Sequence, residues 1–171
     1  MKVIFLDFDG VLNGDDFLQT QVLSPLRPAL DPVCCARIQR ICEATGASLV
    51  ISSSWREIRT FDGDKVTIRA SRPIEEIESW LRDAGITASV LGATSIAPMG
   101  VSENDPELRR AWQILAWTCD RPELSEWVAI DDCDLPDTDI GPRNFVGTDM
   151  ATGIAEADVE RAILMLGEVT P

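Results

Sequence analysis

The 171-residue chain contains no histidine and no tyrosine, and only two of its 15 basic residues, Lys2 and Lys65, are lysines. Without imidazole there can be no Ser-His-Asp triad, no Cys-His nucleophile pair, no histidine-ligated zinc and no histidine general base. Cysteines 34, 35, 42, 119 and 133 form an odd set of five with no C-x-x-C spacing. Neither a zinc site nor a disulfide framework is therefore expected, and the thiols are read as reduced and mostly buried. No run of eighteen apolar residues occurs. The apolar stretch from Val3 to Phe5 and Leu6 is too short for a signal-peptide core, so a soluble, cytoplasmic chain without a membrane span is expected. Any catalysis must use carboxylates, hydroxyls, thiols, arginines, the two lysines or a bound metal.

What is present is apolar material and negative charge. A 45% hydrophobic composition over this length suits one sizeable core, and residues 1–171 are read as a single domain. The net charge of −14 repels a phosphate backbone over most of the surface, so general nucleic-acid binding is not expected, whereas divalent cations are attracted.

Five short, continuous apolar runs read as strands: Lys2–Leu6, Ser48–Ile51, Ser89–Leu91, Trp127–Ile130 and Asn144–Val146. Runs without alternation suit strands buried on both faces of a parallel sheet. Helical patterns lie between them. Asp31-Pro32 opens one, with Val33, Ala36, Ile41 and Ala44 inward and a stop at Gly46. Ser71 and Pro73 open a second, whose Ile74, Ile77, Trp80 and Leu81 run to a stop at Gly85. Asp105-Pro106 opens a third, with Leu108, Trp112, Leu115, Ala116 and Cys119 as its stripe; the last spans about Glu156–Leu166, with Val159, Ala162, Ile163 and Leu166 on one face. The alternation predicts an α/β fold, a three-layer α/β/α sandwich around a mainly parallel sheet. Residues 13–30 and 56–70 are the least regular and read as flap-like insertions, leaving little room for a cap.

The chemistry sits where three strands end. Leu6 gives way to Asp7-Phe8-Asp9-Gly10, Ile51 to Ser52-Ser53-Ser54, and Ile130 to Asp131-Asp132. In an open parallel sheet these ends share one edge, where ligands bind. Asp7 and Asp9, two residues apart on extended chain, leave on the same side while Phe8 turns into the core, and Gly10 frees the backbone to turn. Four converging carboxylates repel unless a cation lies between them, and oxygen ligands without histidine suit Mg²⁺.

The segment Phe5-Leu6-Asp7-Phe8-Asp9-Gly10-Val11-Leu12-Asn13 resembles the first motif of the haloacid dehalogenase (HAD) superfamily. Leu49-Val50-Ile51-Ser52 resembles its second motif, and Val128-Ala129-Ile130-Asp131-Asp132 its acidic fourth. More narrowly, three features are similar to small HAD proteins related to the HAD domain of Swiss Army Knife RNA-repair proteins. They are Ile51-Ser52-Ser53-Ser54-Trp55-Arg56, the Arg110-x-x-x-Ile114-x-x-Trp117 pattern, and Thr148-Asp149 with Thr152-Gly153 and Asp158–Ala162.

The resemblance implies a Rossmann-like fold and a phosphatase working through an aspartyl-phosphate. Asp7 is then the nucleophile and Asp9 the acid and base. Asp7, the backbone carbonyl of Asp9 and Asp131 hold Mg²⁺, with Asp132 beside them, and Ser52, helped by Ser53, binds the phosphoryl oxygens. The third-motif cation, commonly Lys, falls on Arg110 by spacing, with Arg109 as its adjacent competitor. Arg56 is open to two roles, binding a remote phosphate or capping the flap, and Trp55 is placed near the pocket. The expected substrate is a phosphorylated small molecule or a terminal phosphate; the alternative is a nucleic-acid end-processing phosphatase or partner-recruited RNA-repair module.

Overall fold

In the computed structural model, residues 1–62, 65–96, 106–133, 135 and 140–167 are described. In chain order the elements are β1 (Lys2–Leu6), α1 (Asp15–Leu18), α2 (Pro32–Thr45), β2 (Ser48–Ile51), a 3-10 turn (Ser54–Arg56), β3 (Glu57–Asp62), β4 (Lys65–Ser71), α3 (Ile74–Asp83), β5 (Val90–Ala93), α4 (Pro106–Cys119), β6 (Glu126–Asp131), β7 (Phe145–Gly147) and α5 (Glu156–Leu166). Five strands form an all-parallel sheet in the order β5-β2-β1-β6-β7. It matches the α/β architecture expected from the alternating pattern.

Alternation along β1 splits the core in two. Ile4 and Leu6 face one side, where they meet Ile38 and Ile41 of α2, Ile77 and Leu81 of α3, and Val159 and Ala162 of α5. Val3 and Phe5 face the other, against Ala111, Ile114 and Trp117 of α4. Phe5 packs edge-on to Trp117 at 5.3 Å and to Trp127 at 5.5 Å. Every side chain from Val3 to Leu6 is fully buried, which explains why the run is apolar without alternation.

Helix α2 begins as its sequence dictates. Asp31 Oδ1 accepts the Val33 N–H at 2.8 Å, Pro32 occupies the first turn, and Gly46 closes the helix at φ +70°. Its inward face differs from the expected one: Val33 and Ala36 are exposed, and Cys34, Cys35, Ile38, Ile41, Cys42 and Thr45 are buried. Counting the cysteines as small hydrophobes rotates the apolar stripe to this face. Helix α4 is rotated likewise. Trp112 is exposed, and the buried side belongs to Ala111, Gln113, Ile114 and Trp117. The proposed Asp105 cap lies outside the described residues. In α3 the cap position is Pro73, while Ser71 ends β4.

Residues 56–70 are not irregular. Beyond Arg56 they form the antiparallel hairpin β3–β4, paired from Glu57↔Ser71 to Asp62↔Lys65 with a register shift at Ile58/Arg59. Thr60, Val66, Thr67 and Ile68 supply these strands with β-branched residues. Residues 13–30 do lack extended structure, holding only the short α1. Among the described residues no helix is long and apolar enough to cross a membrane.

Candidate active site

The sheet ladder continues one step beyond the strands and lines up the polar residues. Asp7 N–H donates to Ile130 O at 3.1 Å, Ser52 N–H to Leu6 O at 3.0 Å, Thr94 N–H to Ile51 O at 2.9 Å and Thr148 N–H to Asp131 O at 3.0 Å. The residues ending or following β1, β2, β5, β6 and β7 therefore share one edge, as expected for Asp7, Ser52 and Asp131.

Asp7 is buried. Its Oδ1 accepts the Phe8 N–H at 2.8 Å, and its Oδ2 accepts from Arg110 Nη1. The same Nη1 lies 2.7 Å from both oxygens of Asp131, whose Oδ1 also accepts the Cys133 N–H at 3.0 Å. Burial opposes the charge of Arg110, yet Asp7 and Asp131 hold its pKa above the ordinary arginine value. Burial, followed by the like charge of Asp7, drives the Asp131 pKa upward against the pull of Arg110. Arg110 thus bridges two acids that would otherwise repel. Arg109, one step around α4, makes no such pairing and lines, with Arg110, a neighbouring cavity.

Asp9 stands at the mouth, exposed, while Phe8 beside it is fully buried. Its Oδ1 accepts from Asn13 Nδ2 at 3.3 Å and its Oδ2 from Trp55 Nε1 at 2.9 Å. Asn13 also donates to Ala29 O at 2.9 Å and accepts the Gly10 N–H at 3.2 Å, so it ties the Asp9 turn to the end of the flap. Trp55 packs edge-on to Trp80 at 6.3 Å, and Arg72 Nε donates to the Trp55 carbonyl at 3.0 Å. Gly10 adopts φ +70°, and a Cβ on it would fall 2.6 Å from Cβ and Cγ of Asp132. The missing side chain lets Asp132 pack against the Asp9–Gly10 turn, which Thr148 Oγ1 secures from the other direction at 2.7 Å from Gly10 O.

This donor set fits Mg²⁺. One oxygen each from Asp131 and Asp132 lies within 4.8 Å of the other and of Cys133 Sγ, and Asp7 adjoins them through Arg110. Carboxylates are the hard ligands this ion takes. Burial and Asp131 push the Cys133 thiol up to about 12, so it stays protonated and is no competitor for a hard cation.

Ser52 is buried, and its hydroxyl has no hydrogen-bond partner among the described residues; Thr94 Oγ1, one strand over, is in the same position. Ser53 has local work, since its Oγ accepts the Trp55 N–H at 3.3 Å and caps the 3-10 turn. Arg56 is also committed. Nη1 donates to the carbonyls of Ser52 and, at 2.6 Å, Ser53; Nε reaches Thr94 O at 3.2 Å and Nη2 reaches Gln113 Oε1 at 2.6 Å. These contacts tie the Ser52–Ser53 turn to Thr94 and to Gln113 of α4. Sequence reasoning missed Thr94, Asn13 and Gln113. Only Asn13 carried a signal, as the last residue of the first motif.

The chain matches, over residues 3–159, the family described as the HAD domain in Swiss Army Knife RNA repair proteins. It belongs to this family. The match takes in the Asp7–Asp9 turn, the Ser52 strand end, Arg110 and the Asp131–Asp132 pair, and places the chain among HAD-type hydrolases. No match was found among curated proteins or among solved structures.

Proposed function

We propose that this HAD domain is a Mg²⁺-dependent phosphomonoester hydrolase that works in the cytoplasm through an aspartyl-phosphate. The observation that carries the reading is the buried Ser52 hydroxyl, unpartnered among the described residues, one strand from Asp7. A buried hydroxyl without a partner costs about 1–3 kcal/mol, and an incoming phosphoryl oxygen would satisfy it.

In this reading Asp7 attacks phosphorus and the ester oxygen leaves with a proton from Asp9. Asp9 then takes a proton from the water that cleaves the acyl phosphate, which frees inorganic phosphate and restores Asp7. Ser52, supported by Ser53, donates to the phosphoryl oxygens, and Arg110, paired with Asp7, offers charge to the transferring group. Asp7, the Asp9 carbonyl and Asp131, with Asp132 beside them, would hold Mg²⁺, which supplies positive charge to the phosphoryl oxygens. Asp9 favours phosphate esters, because it provides the acid that an alcohol leaving group needs.

Hydrolysis of an aryl phosphate by the parent and by Asp7→Asn, with and without Mg²⁺, tests the reading. Metal-dependent turnover lost in the variant supports it; equal activity in the variant rejects the covalent route. The family description names RNA repair proteins and motivates a second reading, a phosphatase for oligonucleotide ends or a partner-recruited module. That reading expects binding of an end-phosphorylated oligonucleotide that weakens steeply with salt.

A further inference from the structure

Beside the Asp7 site lies a second cavity of about 270 Å³, enclosed by the 3-10 turn, the start of β3 and the first turns of α4. Taking about 30 Å³ per water, it would hold roughly nine. Among the described residues no aliphatic or aromatic side chain lines it, and four of its walls are arginines: Arg56, Arg59, Arg109 and Arg110. That is four of the chain's 13 arginines in one hollow of a protein whose net charge is −14. A general solvated surface of this chain would be acidic, so the local reversal of sign needs a cause.

The arginines are not equally occupied. Arg110 is held by Asp7 and Asp131, and Arg56 spends its donors on backbone carbonyls and Gln113. Arg59 pairs with Glu57, the single carboxylate among the described lining residues, at 2.5 Å from Nη2. Glu57 also lies 3.7 Å from Arg56, so one acid answers two cations. Arg109 makes no hydrogen bond or ion pair with any described residue, and it borders the cavity. Planar guanidinium forks match the oxygens of a phosphate two at a time.

We infer that the cavity binds a second phosphate of the substrate, so that the preferred substrate carries two phosphoryl groups, one at Asp7 and one against Arg109 and Arg59. The inference rests on the phosphatase reading and narrows its substrate class. The second phosphate can belong to a small bisphosphate or to the next nucleotide of a chain; both present the same dianionic or diester oxygens to Arg109.

The test compares kcat/KM for five phosphates: an aryl phosphate, a sugar monophosphate, the matching sugar bisphosphate, a mononucleotide and the matching 5′-phosphorylated dinucleotide. Each is run with the parent and with Arg109→Ala, a partly exposed position whose replacement leaves no buried charge behind. At least tenfold preference for a two-phosphate substrate is expected in the parent, reduced to within about threefold in Arg109→Ala, with the aryl phosphate unchanged. Preference confined to the sugar pair assigns a small bisphosphate, and preference confined to the dinucleotide assigns a nucleic-acid end. Equal kcat/KM for one and two phosphates, or a preference that survives Arg109→Ala, overturns the inference.

If no phosphate ester turns over, the phosphatase reading has failed, and the cavity is then judged by calorimetric titration with inorganic pyrophosphate. Binding lost in Arg109→Ala keeps the anion site; absence of binding in the parent rejects it.

Discussion

The indole N–H of Trp55 donates to Asp9 Oδ2 at 2.9 Å, from a ring braced edge-on by Trp80. The acid of the first motif is thereby aimed by a residue 46 positions away on the second. Trp55→Phe keeps a ring against Trp80 and removes the donor. A hydrogen bond to a charged group is worth about 1.5 kcal/mol at the low end, or roughly tenfold in rate. On the proposed mechanism, in which Asp9 is the acid, the expected result is that decrease for alkyl phosphates and little change for aryl phosphates with good leaving groups. Equal losses on both would show that Trp55 only shapes the loop.

Ser52→Ala separates stability from activity. The Ser52 hydroxyl is buried without a partner among the described residues, so its removal deletes an unsatisfied polar atom and is expected to leave the melting temperature unchanged or slightly raised. Turnover of an aryl phosphate should fall at least tenfold, because a donor to the transferring group is lost. A matched calorimetric scan and rate measurement decide it; a destabilised variant with normal turnover would make Ser52 a structural residue.

The contrast between legible and illegible parts follows from range. Asp7, Ser52 and Asp131 were readable because each interrupts an apolar run that is buried on both faces, and their meeting follows from parallel pairing alone. Arg110 was readable from helical spacing relative to Ile114 and Trp117. Thr94 was not, since it follows an edge strand whose burial is weaker and whose sequence is less distinctive. The role of Arg56 is fixed by Gln113, 57 residues away, and no local pattern records that contact. The faces of α2 and α4 were misplaced for a simpler reason: Val33 and Trp112 are intrinsically apolar, but packing selected Cys34, Cys35 and Ala111 instead. The hairpin escaped notice because charged residues at Glu57, Arg59 and Asp62 obscure the β-branched positions around Asp62-Gly63.

Gly10→Ala should weaken the metal site without unfolding the domain. The residue sits at φ +70°, and its new Cβ would lie 2.6 Å from Cβ and Cγ of Asp132. Either the turn carrying Asp9 or the Asp132 side chain must shift. Disturbing the support of a metal ligand typically costs 10–100-fold in affinity. The Mg²⁺ concentration for half-maximal turnover should rise at least tenfold, while circular dichroism stays that of the parent. An unchanged Mg²⁺ requirement would detach Asp132 from the site.

Arg56→Met should act on stability before chemistry. The guanidinium is buried and joins the Ser52 and Ser53 carbonyls, the Thr94 carbonyl and Gln113, so three elements depend on one planar group. Burial, opposed by Glu57 and reinforced by the nearby charges of Arg110 and Arg109, lowers its pKa to about 10, which leaves it charged at neutral pH. Methionine fills similar volume but abandons these acceptors and leaves buried Glu57 with Arg59 alone. A loss of about 3 kcal/mol is expected, equivalent to a drop in melting temperature of roughly 6–12 °C for a chain of this size. Arg56→Lys should restore little of it, because a single ammonium cannot span acceptors that the fork reaches in three directions. Denaturant unfolding of the two variants provides the check. If Arg56→Met were as stable as the parent and lost only affinity for a two-phosphate substrate, Arg56 would belong to the ligand rather than to the loop.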